Sequence, residues 1–278
     1  MLWAFGSKVG VKLLAHREPR LALPYLARPV NYWRSVEYRL ICDAANFQRG
    51  QRVLDIGSPK LLALYLAKVV GAEVSATDID DYFLERQRVV AEVEGVPAGQ
   101  LHLGVEDGRN LSFPDEAFDK VYSLSVVEHI PDDGDSQAVK EIARVLVPGG
   151  ECYLTVPFWP QSRTDYVDDD AVYWTRHSVG TGDGKVFYQR RYSEDDLFDR
   201  LVEPSGLELG GITYVGERVL TSADDELSDR LPLLSGPVQP LLSKLCHTGP
   251  SDSWRALDKP LCALVVLRRA GAPPAPLR

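Results

Sequence analysis

From residue 52 onward, short apolar runs alternate with amphipathic stretches, which predicts strands separated by helices. Arg52–Gly57 reads as a buried strand, followed by an apolar helix from Pro59 to about Val69. Glu73–Asp78 is a second strand, and the helix after it runs from about Asp80 to Glu94, where Gly95 and Pro97 end it. Leu101–Glu106 and Asp119–Leu124 supply a third and a fourth strand. Ala138, Ile142, Val145 and Leu146 share one face of a helix from about Asp135 to Val147. Pro148–Gly149–Gly150 stops that helix ahead of a fifth strand, Cys152–Val156. Ser193 can cap a further helix, in which Leu197 and Leu201, then Phe198 and Val202, recur four apart until Gly206. Leu207–Val215 and Leu261–Leu267 complete seven strands.

Strands separated by helices imply parallel pairing with right-handed crossovers. The fold class is therefore α/β: a Rossmann-like, seven-stranded, mostly parallel sheet with helices on both faces. Ligands bind such sheets at the carboxyl ends of the strands, which directs attention to the loops after residues 57, 78, 106 and 124. Residues 46–157 form the regular core. Three parts lie outside it: an N-terminal helical cap over 1–45, an aromatic-rich insertion over 158–192, and a Pro- and Leu-rich insertion over 220–260. All three are candidates for covering the acceptor side of the cleft.

Composition fits one domain over 1–278, since 278 residues at 45% hydrophobic can bury a sizeable core. Cys42, Cys152, Cys246 and Cys262 are scattered without a CxxC pair. That pattern argues against a zinc site or disulfide framework and fits a reducing, cytoplasmic setting. No apolar run reaches the roughly 18–20 residues that span a bilayer. Lys8 and Lys12 interrupt what would be the core of a signal peptide. A net charge of −9 disfavours nucleic-acid partners. The charge is uneven: residues 1–40 carry +5 and the remainder −14.

The segment VLDIGSP puts Asp55 at a strand end, Gly57 in the turn and Ser58–Pro59 at a helix start. Serine suits the N-cap and proline the first helical position. Gly57 lets a ligand approach the backbone, and the helix terminus offers free N–H groups to a carboxylate. This segment resembles motif I of the class I S-adenosylmethionine-dependent methyltransferases, D-x-G-x-G-x-G, with Pro59 and Leu61 in place of the second and third glycines. The resemblance, to a small-molecule "type 11"-like domain, runs in order through SATDID, VEDG, LSFPDEAFDKV, SLSVVEHI and RVLVPGG. It implies that Asp78 holds the ribose hydroxyls, as a carboxylate can accept both hydrogen bonds of a diol, and that Ile79 packs on the adenine. It further implies that Asp107, with Gly108 in the turn, accepts from the adenine amino group. Ser123 joins the cofactor-binding residues. Asp80 is the better candidate for capping the following helix. A nicotinamide-dependent dehydrogenase would need a G-x-G-x-x-G fingerprint that is missing.

Methyl transfer from a sulfonium already has a good leaving group, so the protein contributes mainly alignment and exclusion of water. Glu128 and His129 follow the fourth strand and are the candidate catalytic residues. His129 can serve as base, since imidazole titrates near neutral pH, or can brace its loop, which is the preferred reading. Tyr166, Tyr173 and Trp174 are candidates for an acceptor pocket. The acid run Asp168–Asp170 reads as a solvated surface rather than a cation site, and no metal is expected. Leu2, Phe5 and Val9 share a helical face at the N-terminus, favouring a lid over the cleft above a peripheral membrane contact. The expected activity is methylation of a small, apolar or aromatic metabolite such as a natural product, quinone or lipid, with S-adenosylmethionine as cofactor. The alternative is a cofactor-binding regulatory or scaffolding protein without turnover. The sequence does not specify the oligomeric state.

Overall fold

Side-chain alternation along the strands divides the interior into two layers, one on each face of a twisted sheet. The computed structural model describes residues 1–58, 60–168, 180, 182, 184–218 and 239–271. The chain begins with helices α1 (Leu2–Ala15), α2 (Pro19–Ala27) and α3 (Tyr32–Ala45). Then come β1 (Arg52–Ile56), α4 (Leu61–Tyr65, continued by a wider π-type turn Leu66–Val70), β2 (Glu73–Asp78), α5 (Asp81–Glu94) and β3 (Leu101–Val105). β4 (Phe118–Leu124), a short 3-10 turn Val127–His129, α6 (Gly134–Val145) and β5 (Leu146–Pro157) follow. A hairpin of β6 (Arg163–Asp168) and β7 (Lys185–Arg191) leads to α7, which spans 194–205 with a π-type middle. β8 (Glu208–Glu217), α8 (Gln239–Cys246), β9 (His247–Ser251) and β10 (Pro260–Arg268) end the described elements.

The main sheet has the order β3-β2-β1-β4-β5-β10-β8-β9. β3, β2, β1, β4 and β5 pair in parallel, and β10 runs antiparallel between β5 and β8. Seven of these eight strands are the expected ones. The eighth, β9, reads HTGPS and has no apolar alternation to announce it; it attaches antiparallel to the edge of β8. The β6–β7 hairpin was likewise not expected, and it stands apart from the main sheet.

On one face, Leu54, Ile56, Val121, Leu154 and Val265 pack against Ala138, Ile142 and Val145 of α6 and Leu197 of α7. On the other, Val53, Val74, Tyr122 and Leu264 meet Ile41 of α3 and Leu62 and Leu66 of α4. The neighbouring positions 53 and 54 thus serve opposite layers, as the period of two requires. α1 and α2 form an antiparallel pair beside α5, with Val9, Leu13 and Ala22 packed with Val90. The pair is close: a Cβ at Gly6 would lie 2.7 Å from Pro29 Cβ, and one at Gly10 would lie 2.9 Å from Leu26 Cγ.

A buried acid ties α6 to α7 and to the chain entering it. Asp135 is fully buried. It accepts from Arg200 Nε (2.9 Å) and Nη2 (2.8 Å) and from the Tyr192 hydroxyl (2.8 Å). Ser193 begins α7 with a reciprocal capping box to Asp196. Truncating one partner of a buried ion pair strands the other charge, at a cost of about 3 kcal/mol or more. Asp135→Ala is therefore expected to lower unfolding stability by about that much in a urea titration; a change under about 0.5 kcal/mol, the size typical of a neutral surface site, would contradict this account.

Candidate functional site

The turn after β1 joins the ends of three strands. Gly57 has φ +66°, and a Cβ there would sit 2.6 Å from Val126 Cγ1, so conformation and space both exclude a side chain. Its N–H donates to Thr77 O at the end of β2 (3.0 Å). The Ser58 N–H donates to Asp55 Oδ1 (3.1 Å), and the Leu124 N–H at the end of β4 donates to Ser58 Oγ (2.8 Å). The Ser58 hydroxyl is thereby engaged, and it is not the helix cap that its position suggests. α4 starts only at Leu61, with Lys60 before it and no side-chain cap. Pro59 lies outside the described residues. Asp80, by contrast, caps α5 by accepting from the Tyr82 N–H (2.9 Å).

A cavity of about 500 Å³ opens over this turn. Gly57, Ser58 and Lys60 form one wall, with Asp78 and Ile79 from the end of β2. Asp107, Gly108 and Arg109 close it beyond β3, and Ser125, His129 and Pro131 close it beyond β4. The cap supplies Leu21, Pro24 and Tyr25 of α2 and Arg34 of α3, while α5 adds Phe83 and Arg86. Of the residues singled out in the sequence, Gly57, Ser58, Asp78, Ile79, Asp107, Gly108 and His129 thus meet at one cavity. Asp55, Ser123 and Glu128 stand behind its wall and are fully buried. Ser123 donates its hydroxyl to Ile56 O (3.1 Å), tying β4 to β1.

The family model for a methyltransferase domain matches residues 54–154, which include the Gly57 turn, Asp78, Asp107 and His129. The chain carries a class I S-adenosylmethionine-dependent methyltransferase domain over these residues. It is 28% identical over 233 residues to methyltransferase GfsG of Streptomyces halstedii, covering 81% of this chain and 75% of that one. It is 35% identical over 144 residues to sterol 24-C-methyltransferase erg6 of Aspergillus fumigatus, covering 49% of this chain and 35% of the relative. The chain thus spans about a third of that sterol enzyme. The fold resembles solved coclaurine N-methyltransferase with TM-score 0.59 at 15% identity, covering 84% of this chain and 72% of that one.

The enzyme's cofactor is S-adenosylmethionine, and the residues present fit it. Ile79 is a 39% exposed isoleucine on the cavity wall, an apolar surface suited to a flat ring. Leu61, in place of the third motif glycine, does not obstruct. It is buried in the layer between the sheet and α3, and its Cδ2 packs toward Gly6 of α1 rather than lining the cavity. Asp107 is held by Arg109, whose Nη2 lies 2.6 Å from Oδ2. Burial raises Asp55 from 3.8 to about 6, opposed by the Lys60 ammonium 3.9 Å away.

Beyond β4 the methyltransferase carries a second polar cluster. Arg34 Nη1 donates to Glu37 Oε2 (2.6 Å) and to Leu124 O (2.9 Å). Glu37 Oε1 accepts from Ser125 (2.5 Å) and Thr155 (2.7 Å). Ser125 holds φ +49°, a strained value for a non-glycine residue, beside that bond. His129 shares a 2.7 Å bond between Nδ1 and Tyr188 O. A carbonyl only accepts, so Nδ1 carries the proton. Burial lowers the His129 pKa, so the ring is neutral at pH 7 and its lone pair lies on Nε2, 3.9 Å from Glu128 Oε1.

Tyr166 is 49% exposed on the β6–β7 hairpin and lines a shallow surface depression with Arg163 and Lys185, not the cavity. Tyr173 and Trp174 lie outside the described residues. Sequence reasoning missed Lys60, Arg34, Tyr25 and Phe83. A lysine inside the motif I segment was a visible signal for the first; the others reach the site only through tertiary packing. α1, α2 and α3 precede the first strand, and β8, β9 and β10 extend the sheet that β1 to β5 begin.

Burial, reinforced by the neighbouring Glu37, pushes Glu128 from 4.5 up to about 8. Between about 4.5 and 8 the native protein holds a proton that the unfolded chain has released, so stability falls as pH rises through that window. Glu128→Gln removes the ionisation. Its melting temperature relative to the native protein should be higher at pH 8.5 than at pH 5.5; an equal difference at both would refute the buried neutral acid.

Proposed function

We propose that this methyltransferase acts on a small, largely apolar or aromatic acceptor, bound in the same cavity as the cofactor. The observation that carries the proposal is the composition of the cavity wall away from Asp78 and Asp107. There Leu21, Pro24 and Tyr25 of α2, Phe83 of α5, Val126 and Ile130 present mostly apolar surface. A wall of that kind, with a few convergent polar groups, suits a small organic ligand. The sterol named for the Aspergillus relative is an acceptor of this class. We assign the N-terminal segment to covering the cavity rather than to a membrane, because the face bearing Leu2 and Val9 is buried and α2 contributes to the wall.

S-adenosylmethionine supplies an activated methyl group on a cationic sulfur. Asp78 would accept hydrogen bonds from the ribose hydroxyls, Ile79 would pack on the adenine, and Asp107 with Gly108 would receive the adenine edge. Asp55 and Ser123 would act from behind the wall, by holding the turn and joining β4 to β1. His129 would take the proton of an O–H or N–H acceptor on Nε2, its ring orientation set by the bond to Tyr188 O. Glu128, buried behind His129 and protonated at neutral pH, would keep negative charge away from that imidazole. The cap excludes water from the reacting groups. A regulatory binder without turnover finds no support in GfsG or the Aspergillus sterol enzyme, both of which are named methyltransferases.

Calorimetry with S-adenosylhomocysteine tests the cofactor assignments. Hydrogen bonds to a charged group contribute about 1.5–3 kcal/mol, so Asp78→Ala should weaken binding roughly 10- to 100-fold. Unchanged affinity would remove Asp78 from the site. Turnover on a panel of sterols, phenols and polar amines tests the acceptor class, and activity confined to the polar amines would overturn it. On the preferred acceptor, His129→Ala should lower kcat about 100-fold with little change in KM. A fall in melting temperature with kcat nearly intact would instead identify His129 as a loop brace.

A further inference from the structure

The motif I segment holds a lysine at position 60, between the positions where the family pattern has its second and third glycines. Its side chain is 6% exposed, yet it lines the cavity. The ammonium donates to Ser58 O (2.8 Å) and Thr77 O (2.6 Å), which spends two of its three donors on the ends of the β1 and β2 segments. The same nitrogen lies 3.9 Å from Asp55 Oδ2 and 3.7 Å from Asp78 Oδ2. Asp55 Oδ2 is buried and accepts no hydrogen bond among the described residues. One cation therefore stands between two acids that come from adjacent strands.

We propose that Lys60 is a positioning residue for the cofactor, acting through Asp78 and Asp55, whose carboxylates its ammonium keeps ionised and fixed in place. The proposal rests on the assignment of Asp78 to the ribose. A diol donates two hydrogen bonds, and an ionised carboxylate accepts both, whereas a protonated one has lost part of its accepting capacity. Burial favours the neutral acid at both positions, and Lys60 is the largest opposing influence on each. The other groups that act on Asp55 or neighbour it are Ser58, Tyr122 of β4 and Tyr38 of α3. Those acting on Asp78 are the backbone N–H groups of Ile79 and Asp80, which favour ionisation, and the Asp80 carboxylate, which opposes it. Arg34, Arg86, Glu106 and the Asp107–Arg109 pair complete the charges around the cavity. Arg34 is engaged by Glu37 and Arg109 by Asp107, and among the described residues Lys60 is the cation within 4 Å of both acids. Loss of the cation removes the main influence opposing burial at both acids, and each pK unit is a tenfold change in the ratio of ionised to protonated form.

The test is calorimetric titration of the full chain with S-adenosylhomocysteine from pH 6.5 to 8.5, using Lys60→Met, Lys60→Gln and Lys60→Arg. The first two should bind about tenfold more weakly at pH 7 and recover toward pH 8.5. Lys60→Arg should stay within about threefold of the native protein, a difference near 0.7 kcal/mol. In an Asp78→Asn background, where position 78 can no longer ionise, Lys60→Gln should cost far less than it does in the native chain. Circular dichroism identifies folded variants, and Lys60→Gln decides the matter should Lys60→Met not fold. Two results overturn the proposal. One is native affinity for the folded variants at every pH. The other is a loss that does not change with pH and is equally large in the Asp78→Asn background, which would make Lys60 a brace for the loop. Failure of the native chain itself to bind is a different result, which removes the cofactor assignment and the proposal with it.

Discussion

A buried carboxylate at the end of β1 sets the conditions for the cavity of this enzyme. Asp55 has no exposure, and it accepts the Ser58 N–H across a turn that only glycine can make at position 57. Opening that turn would strand an acceptor in the interior, at a cost of about 1–3 kcal/mol. It would also release the Ser58 hydroxyl from the end of β4 and the Gly57 N–H from the end of β2. The three strand ends that frame the cavity are therefore fixed by one short run of backbone. The cavity inherits its shape from a structural need of the sheet, and the ligand makes use of it.

Much of this was legible in the chain. Seven strands announced themselves because each buries apolar side chains on both faces of the sheet or fills one layer with period two. β9 did not, since HTGPS at the sheet edge is held by backbone pairing to β8 and buries little. The candidate acids were legible as an ordered series at strand ends, and Asp78 and Asp107 line one cavity. Ser58 was misread because capping preference is a local signal, and a long-range partner, the Leu124 N–H, outcompeted it. That Leu61 faces away from the cavity was not legible either, because its direction depends on α1, which lies far away in sequence. Tyr166 was selected for being aromatic, and neither burial nor facing can be read from that alone.

Two buried polar clusters share the fold and differ in kind. Around Asp135, both oxygens are satisfied by Arg200 and Tyr192, and the cluster serves to join α6 to α7. Around Glu37 and Glu128, one acid is fully engaged by Arg34, Ser125 and Thr155, while neither oxygen of the other accepts a hydrogen bond among the described residues. An under-satisfied buried acid is costly, and this one lies directly behind His129 at the acceptor end. Strain at Ser125 falls in the same place. Local rules are broken beside the cavity, and kept where the cluster only joins two helices.

The tight seam between α1 and α2 has a consequence for traffic through the enzyme. Gly6 and Gly10 bring the helix backbones against Pro29 and Leu26 so closely that even a methyl group would not fit. Helices joined at that range move as one body, and the wall contributed by α2 does not swing aside residue by residue. The sides of the cavity left to the loops that follow β3 and β4, where Arg109 stands exposed at the rim, are free of that constraint.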